Sequence, residues 1–446
     1  MSRYFLIILI LLCGCLSAQV QRTIDLESAK DLALQQNPDF QSATAELAAA
    51  KWNKTNALAA FLPNLSLGGS LIYMDPARTV VSSGQQLSLN RDMRSISLNL
   101  NQPIFLGGRL YQAYKIADLS FQMSSNALTN QRHQLGSNVS EKYYQVLLMQ
   151  DLLEIARAEL EQATQSFELA ELKYQSGMIS RADLLRFEAN QANKDIAVLQ
   201  AETAHDLAIR DFSNYLGSRE LLQPLPIEMS DSELLPFADL DAAGIVAFSR
   251  KAGSLAEEQN QSLKILQDQV EIAKRSHKIA KGSFLPTLNL VGSRQYDENG
   301  IDRYEFEASN QIMLNLSIPL LPQVGNYAAS RKAYYDAQRA EYQSQSAADD
   351  IRLGIDAAIT GLISNARRVK TARLSRDITQ DLYDQLYERF RLNMLSTLEL
   401  MDAELMLSAA RMAYSQAYYD FYTARLQLMT LLGTDDPAIL QDLLAN

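Results

Sequence analysis

Cysteine is nearly absent from this 446-residue chain: Cys13 and Cys15 are the only two, and everything after them is free of thiols. Disulfides and thiol chemistry therefore play no part in the rest of the protein, whose stability must come from burial and assembly. Histidine is scarce as well. His133, His205 and His277 fall in separate stretches without the spacing of metal ligands, so no metal site is expected. No glycine-rich phosphate loop, nucleophile elbow or pocketed carboxylate pair occurs, which leaves neither an enzyme reading nor an expected cofactor. Positive charge is in deficit, with 41 Lys and Arg against 52 Asp and Glu and a net charge of −11. That balance argues against a nucleic-acid partner. Beyond the N-terminus, no segment approaches the ~18 consecutive apolar residues of a membrane-spanning helix.

Residues 1–18 read as an export signal. Arg3 carries the positive charge, Phe5 to Leu12 form the apolar run, and Leu16-Ser17-Ala18 supplies small residues for cleavage. Leu12-Cys13-Gly14-Cys15 also fits a lipobox with Cys15 as the lipidated residue, while Ala18 favours plain cleavage. An exported chain without an apolar helix is either soluble or crosses a membrane as a β-barrel.

What the chain does have is itself, twice. Phe61-Leu62-Pro63-Asn64-Leu65-Ser66-Leu67-Gly68-Gly69-Ser70 returns as Phe284-Leu285-Pro286-Thr287-Leu288-Asn289-Leu290-Val291-Gly292-Ser293. Leu98-Asn99-Leu100 with Pro103 returns as Leu314-Asn315-Leu316 with Pro319, and Leu216-Gly217 as Leu432-Gly433. A period of about 220 residues is too long for a solenoid unit and marks a duplicated domain. The division expected is residues 19–222 and 240–446, joined by a proline- and acid-rich linker over 223–239.

Each copy reads as helix, two strands, very long helix, return helix. The first helix is predicted from about Leu26 to Ala60, stopped by Pro63. The period then changes from 3.6 to 2. Leu65, Leu67, Leu71 and Tyr73 alternate with Asn64, Ser66, Ser70 and Ile72, and Ile96, Leu98 and Leu100 with Ser95, Ser97, Asn99 and Asn101, with a polar loop over 75–92 between them. The strands are placed at about 64–74, 94–104, 287–296 and 305–318. Ten residues with one apolar and one small-polar face suit a tilted strand with lipid outside and water inside.

From Arg109 to Tyr174 the chain has no proline and a single glycine, Gly136. At 1.5 Å per residue this predicts a helix of about 100 Å, with a heptad seam through Leu153, Ala156, Leu160, Ala163, Phe167, Ala170 and Tyr174. The return helix shows the same spacing at Leu185, Ala189, Ala192, Ile196 and Leu199, predicting an antiparallel coiled coil. The second copy places its long helix over 327–390 and its return over 397–432. Four strands cannot close a barrel, and open edges are not tolerated in lipid, so copies must associate. Two copies would give a side-chain-filled barrel and three an open lumen; the Ser, Asn and Gly of the polar face favour three.

Several motifs, in this order and duplicated, carry a family resemblance. They are Leu32-Ala33 through Asn37-Pro38, Phe61-Leu62-Pro63, Gln102-Pro103-Ile104-Phe105 with Gly107-Gly108-Arg109, Tyr174-Gln175-Ser176-Gly177 with Ser180 and Asp183-Leu184-Leu185, and Leu216-Gly217. The chain resembles the TolC-like outer-membrane efflux proteins along essentially its full mature length. The resemblance implies a mixed α/β membrane protein, a homotrimer with a twelve-stranded β-barrel in outer-membrane lipid on a twelve-helix periplasmic tunnel. Such proteins serve as passive exit ducts for inner-membrane pumps, of the RND or ABC type, joined through periplasmic adaptors. A type I protein-secretion duct is built alike, and an exported structural coiled-coil protein is the alternative from another class.

The resemblance puts the tunnel's inner end at the two hairpin tips, with Gly177, Met178, Ser180, Asn393, Met394 and Ser396 available for adaptor contact. Glu399 and Asp402 lie three apart on one helix face and match the family's acidic entrance ring, with Glu399 in place of the more familiar aspartate. Asp183 matches one of its polar gate links. Leu395 and Phe390 stand where an arginine and a tyrosine would complete that gate, so a substitute charge from Arg181, with Arg389 and Arg391 equally available, or an apolar closure by Phe390 and Leu395, are the alternatives. Met394, Met401, Met406 and Met412 are expected in coiled-coil cores, and Tyr414, Tyr418, Tyr419, Phe421 and Tyr422 between protomers.

Overall fold

The computed structural model describes residues 22–445 apart from 78, 83, 89–90, 228–230, 299–305 and 321–322. The export signal and Cys15 lie outside the described residues. The chain forms two compact units, and neither is one copy of the duplication. One takes Leu128–Gln261 and Ala348–Asn446 with the N-terminal Met1–Thr44; the other takes Ala45–Ala127 and Ser262–Ala347.

The second unit holds the membrane-type strands: β2 (Asn64–Tyr73), β5 (Asp92–Leu106), β7 (Thr287–Glu298) and β8 (Phe306–Ser317). They form one antiparallel sheet in the order β2-β5-β7-β8, so the two copies meet at the β5–β7 pair and β2 and β8 are its edges. Register gathers the leucines on one face, with Arg94 and Arg294 among them, and leaves Ile72, Met93, Val291 and Met313 on the other. Leu67 pairs with Leu98, Leu290 with Leu314 and Leu288 with Leu316. Leu67 is 75% exposed and Ile312 84%, so this face is uncovered within the chain. The opposite face carries Ser66, Ser70, Ser95, Ser97, Asn99, Asn289, Ser293, Gln311 and Asn315 by the same register. The predicted loop over 75–92 contains a small hairpin, β3 (Thr79–Ser82) with β4 (Gln85–Ser88).

The recurring motifs shape the lower end of this sheet. Pro103 cannot donate to a ladder, and β5 bulges between Pro103 and Phe105. Gln102 donates from Nε2 to the Phe61 carbonyl at 3.0 Å, tying the two strand ends. Gly107, at φ +63°, lies against Gly282; a Cβ there would stand 2.2 Å from the Gly282 carbonyl oxygen.

The other unit is helical. The helix expected over 26–60 is two helices, α1 (Leu26–Gln36) and α2 (Pro38–Ala59). Pro38 forces the break, since it holds Asn37 in extended backbone and lacks an N–H. Asn37 exploits it: Oδ1 accepts from the N–H groups of Asp39 and Phe40, and Nδ2 donates to the Tyr215 carbonyl. The second copy repeats the device at Asn260, between α6 (Ala242–Gln259) and α7 (Gln261–Gly282), with a 2.7 Å bond to the Leu431 carbonyl.

Two long hairpins complete the architecture: α3 (Arg109–Gln175) with α4 (Arg181–Tyr215), and α8 (Val324–Arg391) with α9 (Thr397–Leu432). The linker carries structure of its own. β6 (Leu222–Pro224) pairs in parallel with β1 (Arg22–Ile24), and α5 (Asp231–Ala238) buries Phe237 against Phe248 and Phe421. The terminal α10 (Ala438–Ala445) buries Leu440, and Lys251 Nζ donates to its Leu443 carbonyl.

Three packing expectations are corrected. Tyr418, Tyr419, Phe421 and Tyr422 are buried in this chain's own core, because Asp151 and Glu233 accept their buried hydroxyls at Tyr419 and Tyr422. Met394, Met406 and Met412 are exposed, and only Met401 packs against a core cluster. On α4 the heptad stripe faces outward: Leu185, Ile196 and Leu199 are exposed while Phe187 and Val198 are buried. The chain's own seam runs along a neighbouring line, and the predicted one is left open.

Candidate channel entrance

The two hairpin tips are built by one scheme used twice. At the first, α3 ends on Gly177 at φ +73°, with Met178 N donating to the Lys173 carbonyl at 2.8 Å. At the second, Asn393 takes the left-handed position at φ +60°, and Met394 N donates to the Arg389 carbonyl at 2.8 Å. Glycine and asparagine are the residues that tolerate this backbone. The return helices then start with capping boxes. Ser180 Oγ donates to Asp183 at 2.6 Å, Ser396 Oγ to Glu399 at 2.7 Å, and each carboxylate also accepts its cap residue's N–H.

These bonds fix what the predicted residues can do. Glu399 and Asp402 are both exposed on the first turns of α9. The Ser396 hydroxyl, then its backbone N–H, hold the Glu399 carboxyl below its ordinary value. Asp183 is engaged in its own helix cap and lies 3.6 Å from Arg186. Arg181 is exposed. Met178 and Met394 are 59% and 74% exposed, with Gly177, Ser180, Asn393 and Ser396 also on the surface.

Phe390 is 1% exposed and stacks 5.5 Å from Phe187. Its ring belongs to a tip core with Ala170, Tyr383, Leu400, Ala403 and Leu407, against which Leu395 is half-buried. In this conformation Phe390 packs inside its own chain's tip.

The group that joins the tips is one the sequence pattern passed over. Lys173, 5% exposed, donates from Nζ to the Phe390 carbonyl at the end of α8, and lies 4.0 Å from the Phe390 ring centre. A cation at a helix C-terminus complements the unsatisfied carbonyls there. Burial pushes its pKa down. Asn393 Nδ2 adds a contact to Met178 Sδ at 3.1 Å. Lysine in a heptad seam is invisible to a search for apolar periodicity, although its position three residues after Ala170 continues the buried line.

The histidines stay apart. His133 lies 2.7 Å from Asp435, His277 Nδ1 lies 3.0 Å from the Ser330 carbonyl, and burial lowers the pKa of His205. Among the described residues no cluster of metal-ligating side chains occurs.

An open sheet with a lipid-suited face and a polar face, joined in one chain to paired helical hairpins, is the arrangement of a channel wall. The sequence model of the outer membrane efflux protein family matches residues 30–218 and 252–434. The chain belongs to this family. It is thus an outer-membrane efflux channel protein. Among its relatives, the alkaline protease secretion protein AprF of Pseudomonas aeruginosa is 25% identical over 426 residues, covering 93% of this chain and 85% of the relative. The outer membrane protein TolC of Vibrio cholerae is 23% identical, covering 94% and 93%. The crystal structure of CusC shares the fold, with a TM-score of 0.78 at 17% identity, covering 93% of this chain and 94% of that one.

Proposed function

We propose that three copies of this chain close into one passive exit duct, fed through a periplasmic adaptor by an inner-membrane pump of the RND or ABC type. The observation that carries the reading is the open four-stranded sheet, whose edges β2 and β8 need partners in lipid. Three copies supply twelve strands, enough for an aqueous lumen lined by the Ser and Asn face. The outward stripe of Leu185, Ile196 and Leu199 on α4, and Leu398, Leu405 and Met412 on α9, give the helices matching apolar surface for neighbouring copies. At the tips, Glu399 and Asp402 from three copies form an acidic ring that concentrates cations, and the exposed tip residues meet the adaptor.

A second reading, secretion of a protein rather than small molecules, is favoured by the likeness to AprF over 93% of the chain. Deleting the gene separates them: loss of one protein from the culture supernatant supports secretion, and raised sensitivity to small toxic compounds supports efflux. The duct itself predicts heat-modifiable trimer bands in outer-membrane fractions. A monomer recovered in the soluble periplasm contradicts it.

A further inference from the structure

Above the tips lies a carboxylate that, among the described residues, is held by neutral donors. Glu404, on α9, accepts from Ser166 Oγ of α3 at 3.0 Å through one oxygen and from Asn190 Nδ2 of α4 at 3.0 Å through the other. One side chain of the second hairpin thus clasps both helices of the first. Ser166 is 0% exposed, and Ala163, Ala403 and Leu407 beside the clasp are buried too. Glu159 on α3 and Lys194 on α4 pair with each other at 2.7 Å, leaving Lys194 committed, and Tyr383 of α8 is 5% exposed. Glu404 itself therefore meets two neutral donors, while the charges of Lys194 and Glu159 act on it in opposite senses.

We propose that Glu404 is the proton-responsive positioning residue of the entrance: it holds the second hairpin against the first more tightly in acid than at neutral pH, and so sets how readily the tips open. This rests on the exit-duct reading. An ionised carboxylate held by neutral donors bears a desolvation cost that those bonds offset only in part. Once protonated, the carboxylic acid keeps the clasp, because the Ser166 hydroxyl can turn from donor to acceptor while Asn190 still donates to the other oxygen. Burial raises the Glu404 pKa, against the opposing pull of its two hydrogen bonds and of Lys194. The packed state then binds more protons than the separated one. Clasping is fullest below the ordinary glutamate value and weakens as pH rises through the raised one.

Two readouts test this on the full-length protein, with Glu399→Gln and Asp402→Asn as background so that the ring does not titrate. One is conductance in planar bilayers; the other is amide hydrogen exchange over 172–183 and 389–399, corrected for intrinsic pH dependence, which needs no current. From pH 7.5 to pH 5 the background protein should lose conductance and gain at least about threefold protection at the tips. Glu404→Gln, neutral at every pH, should hold the acid behaviour throughout. Should that variant fail to assemble, Asn190→Ala removes a donor to the ionised form and should move the midpoint to higher pH. A Glu404→Gln profile that tracks the background, or an Asn190→Ala midpoint that stays put, overturns the proposal. A protein that never conducts but shows the exchange behaviour overturns the duct instead.

Discussion

Glu399 serves its own helix and the proposed ring through the same carboxylate. Its bonds to Ser396 start α9, and its exposed charge faces outward three residues before Asp402. Glutamine also completes a capping box, so Glu399→Gln removes charge without unmaking the turn. With Asp402→Asn it should lower cation preference, read as a reversal potential moved toward zero in a salt gradient; an unmoved potential refutes the ring. The pH sense follows from the lowered carboxyl value. Stabilisation by the cap is present above the ordinary value of 4.5 and is lost as pH falls through the lower folded value. Cation preference due to Glu399 should accordingly persist through mildly acid conditions. Lys173 and Phe390 are the residues whose roles only the fold could give. Heptad counting placed Phe167 and Tyr174 in the seam, whereas Ser166 and Lys173 are the buried pair, because hydrogen bonds to Glu404 and to the Phe390 carbonyl satisfy their polar ends.

At the scale of elements, the duplication reads as two copies of one joint. Gly217 and Gly433 both sit at φ +77°, pressed on the breaks at Asn37 and Asn260. A Cβ at Gly217 would lie 3.1 Å from the Gln36 Cβ, and one at Gly433 3.0 Å from the Gln259 oxygen. Alanine at either should cost about 1–2 kcal/mol from the left-handed backbone alone, before any crowding. Gly136 is the internal control, since a Cβ there meets nothing within 4 Å, and alanine in a helix interior is favoured by roughly 0.5–1 kcal/mol. Thermal melts of the detergent-solubilised protein should fall for the first two and hold or rise for the third; equal melts for all three contradict the joint. Strand and long-helix positions were legible because period 2, period 3.6 and proline placement are local signals. The break at Asn37-Pro38 was legible too but was overrun by the alanine-rich pattern on both sides. The outward turn of the Leu185–Leu199 stripe was not, since periodicity tells which residues share a face and not which neighbour covers it. The aromatic run was misplaced for the same reason: its acceptors, Asp151 and Glu233, are distant in sequence.

At the scale of the whole molecule, the repeat also fixes how one copy should meet the next. β2 corresponds to β7 and β5 to β8, and the pairs Leu67–Leu98 and Leu290–Leu314 are the same pair in each copy. The β5–β7 junction inside the chain is then the template for β8 of one copy against β2 of its neighbour. Within the chain Asn99 pairs with Ser293. Carried through the repeat, this sets Asn315 of one copy opposite Ser70 of the next, both on the polar face. Directly opposed residues in an antiparallel pair have Cβ atoms about 4.5–5.5 Å apart, within reach of a short thiol cross-linker. The absence of cysteine beyond Cys15 makes the measurement clean. Ser70→Cys with Asn315→Cys, cross-linked in isolated outer membranes, should give a denaturation-resistant ladder ending at three chains. Ser70→Cys with Ser309→Cys, displaced six residues or about 20 Å along the strand, should give none. A closed ring of three copies requires the first result; monomer alone from the first pair, or equal ladders from both, contradicts it.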